Sequence, residues 1–280
     1  MISLANNGAA EQAQTLNESK PTELTDFPFT NPLTGSDMDV LGDVFGASLP
    51  IEWALDPAMD VLIAYEMNGE PLPRDHGYPL RAIVPGSVGA RQVKWLTGIH
   101  LSSAESPSFY QIEDYKMGYP GHDGSPPDYR KLPAIFDYPV QSAICEPEDG
   151  HVLVNHGSVT VRGYAFSGGG RGILSVRVSA DDGKTWHEAA LHPVSPPADM
   201  DSNDLADDDL AMEHRNRKQW AWTLWEAKVP IPADAHEVAL VCCARDSSNA
   251  VQPRSTEANL NVRGLLTNSW HRVTVRLKPN

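Results

Sequence analysis

The second half of the chain alternates apolar and polar residues over short stretches, which is the pattern of half-buried β-strands. Turn signals separate these stretches, and the pair Asp182-Gly183, for instance, predicts a hairpin connection. Short strands at this spacing predict an immunoglobulin-like β-sandwich over residues 139–280. The apolar sets that we expect to share a face within one strand are Val159, Val161 and Ala165; Leu174, Val176 and Val178; Trp220, Trp222 and Leu224; and Val273, Val275 and Leu277.

The beginning of the chain has a different composition. Residues 1–44 are mostly polar or small and show no sustained period. A segment of this kind buries too little apolar surface to offset its loss of conformational entropy. Residues 1–44 are therefore predicted to form a disordered N-terminal arm, with the folded part beginning near Phe45.

Between the arm and the sandwich, the apolar runs are short and end at turn residues. The run Val61–Tyr65, closed by the pair Asn68-Gly69, predicts a strand or a short buried segment, and Leu80–Val84 predicts a second strand. Residues 101–138 are dense in Pro, Gly and Ser, which is typical of a site loop or a linker. Residues 45–138 are thus expected to form a partial α+β domain within a mainly β protein.

The charge distribution is uneven. The chain carries a formal net charge of −15, yet the window from His76 to Ala104 contains Arg81, Arg91 and Lys94 and no acidic residue. Cations beside glycine-rich backbone form a site for phosphate or another oxyanion, whereas the alternative is that they are solvated surface charges. The overall acidity argues against nucleic acid and anionic membranes as partners.

Three cysteines are too few for a disulfide framework. Cys242 and Cys243 are adjacent on a predicted strand, so their side chains point to opposite faces, and we expect them to be structural thiols. Cys145 has no partner at the spacing of metal ligands. The chain contains no apolar run near the ~20 residues that cross a bilayer, and neither a presequence nor a peroxisomal C-terminus is visible.

Candidate chemistry rests on a few residues outside the cationic window. The segment Gly168–Arg171 lacks the Lys-Ser/Thr of a phosphate-binding loop and is interpreted as a turn. The pair Asp114-Tyr115 places an acid beside a phenol that can donate a hydrogen bond. Arg263 is flanked by apolar residues and needs an anionic partner, either a carboxylate or a ligand. The histidines show no zinc-binding spacing.

From about Phe45 to Leu277, the chain resembles the C-terminal part of eukaryotic sulfite oxidases, of the molybdopterin oxidoreductase superfamily. The arm over residues 1–44 does not. The blocks that carry the resemblance are FGASLPIEWALDP, VLIAYEMNGEPLPRDHGYPLR, VPGSVGARQVKWL, EDYKMG, PVQSAICEPEDG, VRGYAFSGGGRGI, DDGKTW, WAWTLWEAKVPIP, NAVQP and NVRGLLTNSWHRV.

The resemblance implies a molybdenum-molybdopterin cofactor bound within the cationic window. In this family, the residues that match His76 and Arg81 contact the pterin. The short run matching Gln92, Val93 and Lys94 does so as well. The basic window would then bind the anionic pterin phosphate.

The resemblance also implies the substrate and the assembly. The residues matching Asp114 and Tyr115 line the molybdenum pocket, and the one matching Arg263 binds sulfite. Assimilatory nitrate reductases share the two-domain core but typically have Met at the last position, so Arg263 favours sulfite. The sandwich, residues 139–280, is the family's homodimerisation domain. The family also suggests the mitochondrial intermembrane space.

Some family blocks have no match in the chain. The block with the molybdenum-ligating cysteine is unmatched, and so is the haem-binding block of the animal enzymes; the acidic insertion 193–214 has no assigned role. Three hypotheses follow. The chain acts in sulfite oxidation together with a companion chain that supplies the missing ligand, it is a non-catalytic dimerisation module, or it is an incomplete gene product.

Overall fold

The protein forms two compact units in a computed structural model. Unit 1 comprises Met1–Phe136 with Asn261–Arg263, and unit 2 comprises Asp137–Leu260 with Gly264–Asn280. The tripeptide that carries Arg263 thus belongs to unit 1, although it lies within the sequence of unit 2. The structure describes residues 1–6, 45–119, 125–192, 218–261 and 263–279.

Unit 2 is a β-sandwich of two sheets. One sheet has the strand order β13-β14-β10-β8 and the other β12-β11-β15-β16-β9. Neighbouring strands are antiparallel, except that β16 and β9 run parallel. The strands are β8 (Gln141–Glu146), β9 (Val152–Val154), β10 (Ser158–Phe166), β11 (Ile173–Ser179), β12 (His187–Glu188), β13 (Ala190–His192), β14 (Thr223–Pro230), β15 (Glu237–Asp246) and β16 (His271–Lys278), and a 3-10 helix covers Thr256–Asn259.

The core of unit 2 lies between the two sheets and is formed by alternate residues of the long strands. Trp225 is its largest fully buried side chain, and Val161, Val176 and Val275 are fully buried around it. The predicted inward faces of β10 and β16 are confirmed, since each of their named residues is buried. The predicted mainly β fold with an immunoglobulin-like sandwich is likewise confirmed.

Two apolar faces of unit 2 differ from the prediction. Leu174 is 55% exposed, because the pairing register of β11 shifts between Ile173 and Ser175 and separates it from the buried residues that follow. Trp222 and Leu224 share a face as predicted, but that face points outward, with both side chains more than half exposed. On β14 the residues that face the core are the alternate ones, such as Thr223 and Trp225.

Unit 1 contains a three-stranded sheet and two short ladders. The sheet has the order β2-β1-β7, and β3 pairs with β6 and β4 with β5. Its strands are β1 (Ile2–Asn6), β2 (Phe45–Leu49), β3 (Leu62–Ala64), β4 (Glu66–Met67), β5 (Glu70–Pro71), β6 (Arg81–Ile83) and β7 (Gly98–Leu101). Its helical segments are α1 (Ile51–Leu55), 3-10 helices at Pro57–Met59, Arg74–His76, Gly89–Arg91 and Tyr129–Lys131, and a π-helix at Tyr110–Asp114.

The first residues of the chain occupy the centre of this sheet. Strand β1 pairs antiparallel with both β2 and β7, and Leu4 is only 4% exposed in the core of unit 1. The predicted disordered arm is therefore wrong for residues 2–6; residues 7–44 lie outside the described part of the chain. Five residues are too few to show a period in the sequence, so the tertiary pairing decides their conformation.

The short elements of unit 1 partly match the expectations. Strands β3 and β6 lie within the two predicted runs, and Asn68 and Gly69 turn with positive φ angles of 55° and 81°. Of the two alternatives for the first run, the strand is the one found, and Leu62 on it is 48% exposed. Within the described residues, no helix is long and apolar enough to cross a membrane.

Candidate functional site

A 3-10 turn over Arg74–His76 is fixed by side chains from the cationic window. The three carbonyl oxygens of the turn, in chain order, accept hydrogen bonds from Trp95 Nε1 at 3.0 Å, Lys94 Nζ at 2.8 Å and Arg81 Nη1 at 3.0 Å. The Lys94 ammonium also lies 4.5 Å from the centroid of the Trp95 ring. The cations are therefore held in place by backbone carbonyls. Neither forms an ion pair with a described residue, although the turn itself contains the acidic Asp75.

Gly77 lets the turn approach these cations closely. Its φ angle of 110° favours glycine, and an added Cβ would lie 2.9 Å from Cβ of Lys94 and 3.2 Å from Cβ of Arg81. A side chain at this position would push the two cations apart. Gly77 thus allows Arg81 and Lys94 to contact the same short turn.

Arg81 has one donor without a partner. Its Nε is buried and makes no hydrogen bond within the described part of the chain, and burial lowers the pKa of its guanidinium. A buried, unpaired donor on a charged group is costly to stability. Because this Nε is buried, an anionic group beside the turn would interact mainly with the overall positive charge of the guanidinium.

The other residues predicted for cofactor binding are placed differently. His76 is exposed at the end of the turn. Gln92 donates from Nε2 to the carbonyl oxygen of Ser87 at 3.2 Å, and Val93 is buried in the core while its carbonyl accepts from the backbone of Ala82 at 2.8 Å. The Val93 side chain therefore packs in the core of unit 1 and is too buried to contact a ligand.

Arg263 and Asp114, predicted separately from the sequence, contact each other within unit 1. Arg263 Nη1 donates to the carbonyl oxygens of Glu113, at 2.8 Å, and of Asp114, and it lies 3.4 Å from the Asp114 carboxylate. The guanidinium carbon lies 3.9 Å from the centroid of the Tyr129 ring. Arg263 is thereby anchored through a single nitrogen.

The rest of the Arg263 guanidinium is available. Within the described residues, Nε and Nη2 have no hydrogen-bond partner, and the side chain is 28% exposed. These two N–H groups form the planar fork that binds two oxygens of one anion. The arrangement can therefore receive a small oxyanion, while the neighbouring Asp114 carboxylate limits the net positive charge.

Arg91 is the third cation of the window, and its position corrects the expectation of a ligand-facing or solvated charge. It is fully buried and donates from Nε to the Ile135 carbonyl at 3.0 Å, from Nη1 to Gln111 Oε1, and from Nη2 to the Tyr115 carbonyl at 3.4 Å. Its guanidinium carbon lies 5.2 Å from the centroid of the Phe136 ring. Burial lowers its pKa to about 10, so it stays protonated at neutral pH.

Sequence reasoning missed this role of Arg91. The residue directly precedes the run Gln92–Lys94 and bonds to the backbone of Tyr115, so it links the two predicted groups of site residues. The only signal was its position close to apolar residues such as Val93, and that pattern also fits a solvated surface charge.

Two family models match the chain. The model described as "Mo-co oxidoreductase dimerisation domain" covers residues 132–278, and the one described as "Oxidoreductase molybdopterin binding domain" covers residues 32–110. The chain belongs to the Mo-co oxidoreductases. The second match includes residues 32–44, so the expectation that the whole of 1–44 is unrelated to the family is wrong.

Its relatives within the Mo-co oxidoreductases include sulfite oxidases. Human mitochondrial sulfite oxidase is 46% identical over 245 residues, which cover 88% of this chain and 42% of the relative. An Aspergillus niger nitrate reductase [NADPH] is 36% identical over 82% of this chain and 27% of its own length. The chain therefore spans less than half of these relatives, and the sulfite oxidase is the more similar of the two.

A solved structure shares the fold of this Mo-co oxidoreductase chain. It is the sulfane dehydrogenase SoxCD from Paracoccus pantotrophus, which is 26% identical, with a TM-score of 0.61 over 82% of this chain and 51% of that one.

The family implies a molybdopterin cofactor, and the residues of this chain fit only its organic part. Cys145, Cys242 and Cys243 all belong to unit 2. Burial raises the pKa of Cys242 to about 12 and also raises that of Cys243, so both remain thiols, whereas a metal is bound by thiolates. The described residues contain no group of three His, Cys, Asp or Glu placed to hold a metal.

Proposed function

We propose that this chain takes part in the molybdenum-dependent oxidation of sulfite to sulfate, with its cationic window binding molybdopterin and Arg263 binding the substrate anion. The cofactor, when bound, supplies two-electron redox chemistry and oxygen transfer. The residues of this chain would position the anions. The molybdenum-ligating thiolate would be supplied by a residue other than Cys145, Cys242 and Cys243.

The cofactor part of the proposal rests on the turn Arg74–His76. Arg81 brings a half-buried guanidinium to this turn, and Lys94 adds a second positive charge there. His76 is exposed and free to contact the pterin edge, whereas Gln92 and Val93 would act through their backbone. Because the chain is strongly acidic overall, such a local basic site is needed to attract the cofactor at all.

The substrate part rests on one observation, the anchoring of Arg263 through Nη1 alone. The remaining fork matches two oxygens of sulfite, and a fixed guanidinium loses little entropy when it binds. Asp114 orients the fork through its carbonyl and carboxylate. Tyr115 follows directly in the chain, and we assign its phenol the role of hydrogen-bond donor to the substrate oxygens. Arg263 also favours sulfite over nitrate.

We propose further that two copies pair through unit 2. On the outer face of its four-stranded sheet, the Tyr164 and Trp222 rings stack with centroids 4.4 Å apart, and Leu224 lies opposite Tyr164 on the adjacent strand. Trp222 and Leu224 are 55% and 53% exposed, so this face presents apolar area that association would cover.

A second candidate function is that of a non-catalytic dimerisation module. The observation in its favour is the location of all three cysteines in unit 2, with the two on β15 held as buried thiols. Under this hypothesis, the anion-binding geometry of unit 1 would be retained without turnover.

One experiment separates the two functions. The chain is purified from a host that makes molybdopterin, its molybdenum is measured by mass spectrometry, and sulfite-dependent reduction of ferricyanide is assayed with and without candidate companion chains. Turnover that Arg263→Met abolishes and Arg276→Met leaves intact supports the oxidase. A metal-free dimer that is inert under every condition supports the module.

A further inference from the structure

The Tyr129 ring covers one face of the Arg263 guanidinium. The distance of 3.9 Å from the guanidinium carbon to the ring centroid corresponds to direct stacking. Tyr129 and Arg263 are far apart in sequence, and the contact between them lies within unit 1. A guanidinium stacked in this way can be approached from its edge and from its other face only.

The turn that carries Tyr129 is itself attached to the segment that anchors Arg263. Arg130 donates from Nε to the carboxylate of Glu113 at 2.7 Å, and the carbonyl oxygen of the same Glu113 accepts from Arg263 Nη1. The turn is closed locally by the ion pair between Lys131 and Asp128 at 2.9 Å. The stacking ring and the anchoring carbonyl are therefore held by one continuous structure.

We propose that Tyr129 is a positioning residue that sets Arg263 as a two-point receptor for oxyanions. The ring fixes the plane of the guanidinium, and the two carbonyl anchors fix its rotation within that plane. The fork formed by Nε and Nη2 then points in one direction and selects an anion with two suitably spaced oxygens over a spherical anion such as chloride. The inference rests on the proposed function, because it deepens the role of Arg263 as the substrate-binding residue.

The first test measures sulfate affinity by calorimetry, with chloride as competitor. Tyr129→Leu removes the ring and is expected to weaken sulfate binding about 3- to 10-fold, the scale of one cation–π contact. Chloride affinity should change by less than about twofold, because a point charge needs no fixed plane. Tyr129→Phe keeps the ring and should restore sulfate binding. Tyr65→Leu, at a tyrosine 63% exposed elsewhere in unit 1, serves as the matched control.

The outcomes are distinguishable. If sulfate binds to the wild-type protein and Arg263→Met abolishes binding while Tyr129→Leu leaves it unchanged, the inference is overturned and the proposed function stands. If the wild-type protein does not bind sulfate, or Arg263→Met binds it equally well, the proposed function and the inference fail together.

A second test does not depend on ligand. In nitrogen-15 NMR spectra, stacking on an aromatic ring shifts the Nε–H signal of Arg263 and slows rotation of its guanidinium. We expect both effects in the wild-type protein and in Tyr129→Phe, and their loss in Tyr129→Leu. A freely rotating, unshifted Arg263 guanidinium in the wild-type protein would contradict the inference whatever the calorimetry gives.

Discussion

Arg91 donates a hydrogen bond from its Nε to the backbone carbonyl of Ile135 at 3.0 Å, inside the core of unit 1. Its two other nitrogens bond to Gln111 and to the carbonyl of Tyr115. Among the residues that the structure describes, this fully buried cation forms no ion pair. Its hydrogen bonds connect the cationic window to the backbone at Tyr115 and Ile135.

Replacement of Arg91 should therefore destabilise unit 1 strongly. Arg91→Leu removes three hydrogen bonds to a buried guanidinium. Gln111 Oε1 and the Tyr115 carbonyl keep backbone donors, whereas the Ile135 carbonyl loses its donor, and we expect a loss of about 3–5 kcal/mol in the free energy of unfolding. Arg91→Lys, which lacks the planar fork, should recover only part of this. The measurement is urea unfolding with hydrogen exchange of the unit 1 amides, and the exposed Arg74→Leu is the control. Equal stability of Arg91→Leu and wild type would contradict this role.

Leu4 tests whether the start of the chain is part of the folded sheet. It is 4% exposed in the core of unit 1, so Leu4→Ala should cost about 2–4 kcal/mol. Leu55, which is 72% exposed, provides the control substitution Leu55→Ala, expected to change stability by less than ~0.5 kcal/mol. Thermal unfolding of the two variants checks this. Similar melting temperatures would contradict the burial of Leu4 and would favour the prediction that residues 1–6 belong to a disordered arm.

Gly163 is predicted to be irreplaceable in the sandwich. An added Cβ would lie 1.9 Å from the carbonyl oxygen of Ala143 and 2.5 Å from Cζ2 of Trp225. Gly163→Ala must therefore displace a strand backbone and the largest core side chain, at a cost of about 3 kcal/mol or more. Gly89→Ala, where no atom lies within 4 Å of the added Cβ, should be neutral. The measurement is denaturant titration of both variants. A Gly163→Ala variant as stable as wild type would contradict the close packing of Gly163 against Ala143 and Trp225.

The stability of unit 2 should fall in mild acid because of His271. Its Nδ1 accepts a hydrogen bond from the backbone N–H of Ile144 at 3.1 Å, and burial lowers its pKa below the ordinary 6.5, against a smaller opposing effect of Asp149. The unfolded chain therefore binds the proton more readily than the folded one. The contribution of His271 is fully present above pH 6.5 and is lost progressively as the pH falls below that value.

The check is the pH dependence of the unfolding free energy for wild type and for His271→Gln. The difference between the two should shrink as the pH is lowered from 7.5 to about 5. His156→Gln, at an exposed histidine, controls for general acid effects. Parallel curves for wild type and His271→Gln would exclude the proposed titration.

The sequence predicted best where burial imposes a strict period. Val161 and Val275 are buried because every second residue of a sandwich strand faces the core. It predicted less well where both faces of a strand are apolar, since the alternation of Trp222 and Leu224 cannot show which face is the outer one. Leu174 was misplaced because a register shift interrupts the period of its strand, and such a shift leaves no mark in composition.

The sequence named individual candidate residues, whose roles stay predictions, but it gave no geometry for the site. The resemblance to sulfite oxidases singled out Arg263 and Asp114, and the structure brings them together. The stacking of Tyr129 on Arg263 involves residues that are distant in sequence, so no local sequence pattern predicts it. The burial of the Arg91 guanidinium could not be predicted either. Hydrophobic periodicity indicates which positions are buried, but it does not indicate the hydrogen-bond partners of a side chain.

The central claim, a cofactor site at the turn Arg74–His76, is tested most directly by the pterin content of the purified protein. Protein from a molybdopterin-producing host is oxidised, and the released pterin is quantified by fluorescence for wild type, Arg81→Leu and Arg276→Leu, a control at an exposed arginine of unit 2. We expect pterin in wild type and in Arg276→Leu, and a loss of about tenfold or more in Arg81→Leu, the scale of a charge-assisted contact. Absence of pterin from the wild-type protein, or equal amounts in Arg81→Leu, would contradict the account.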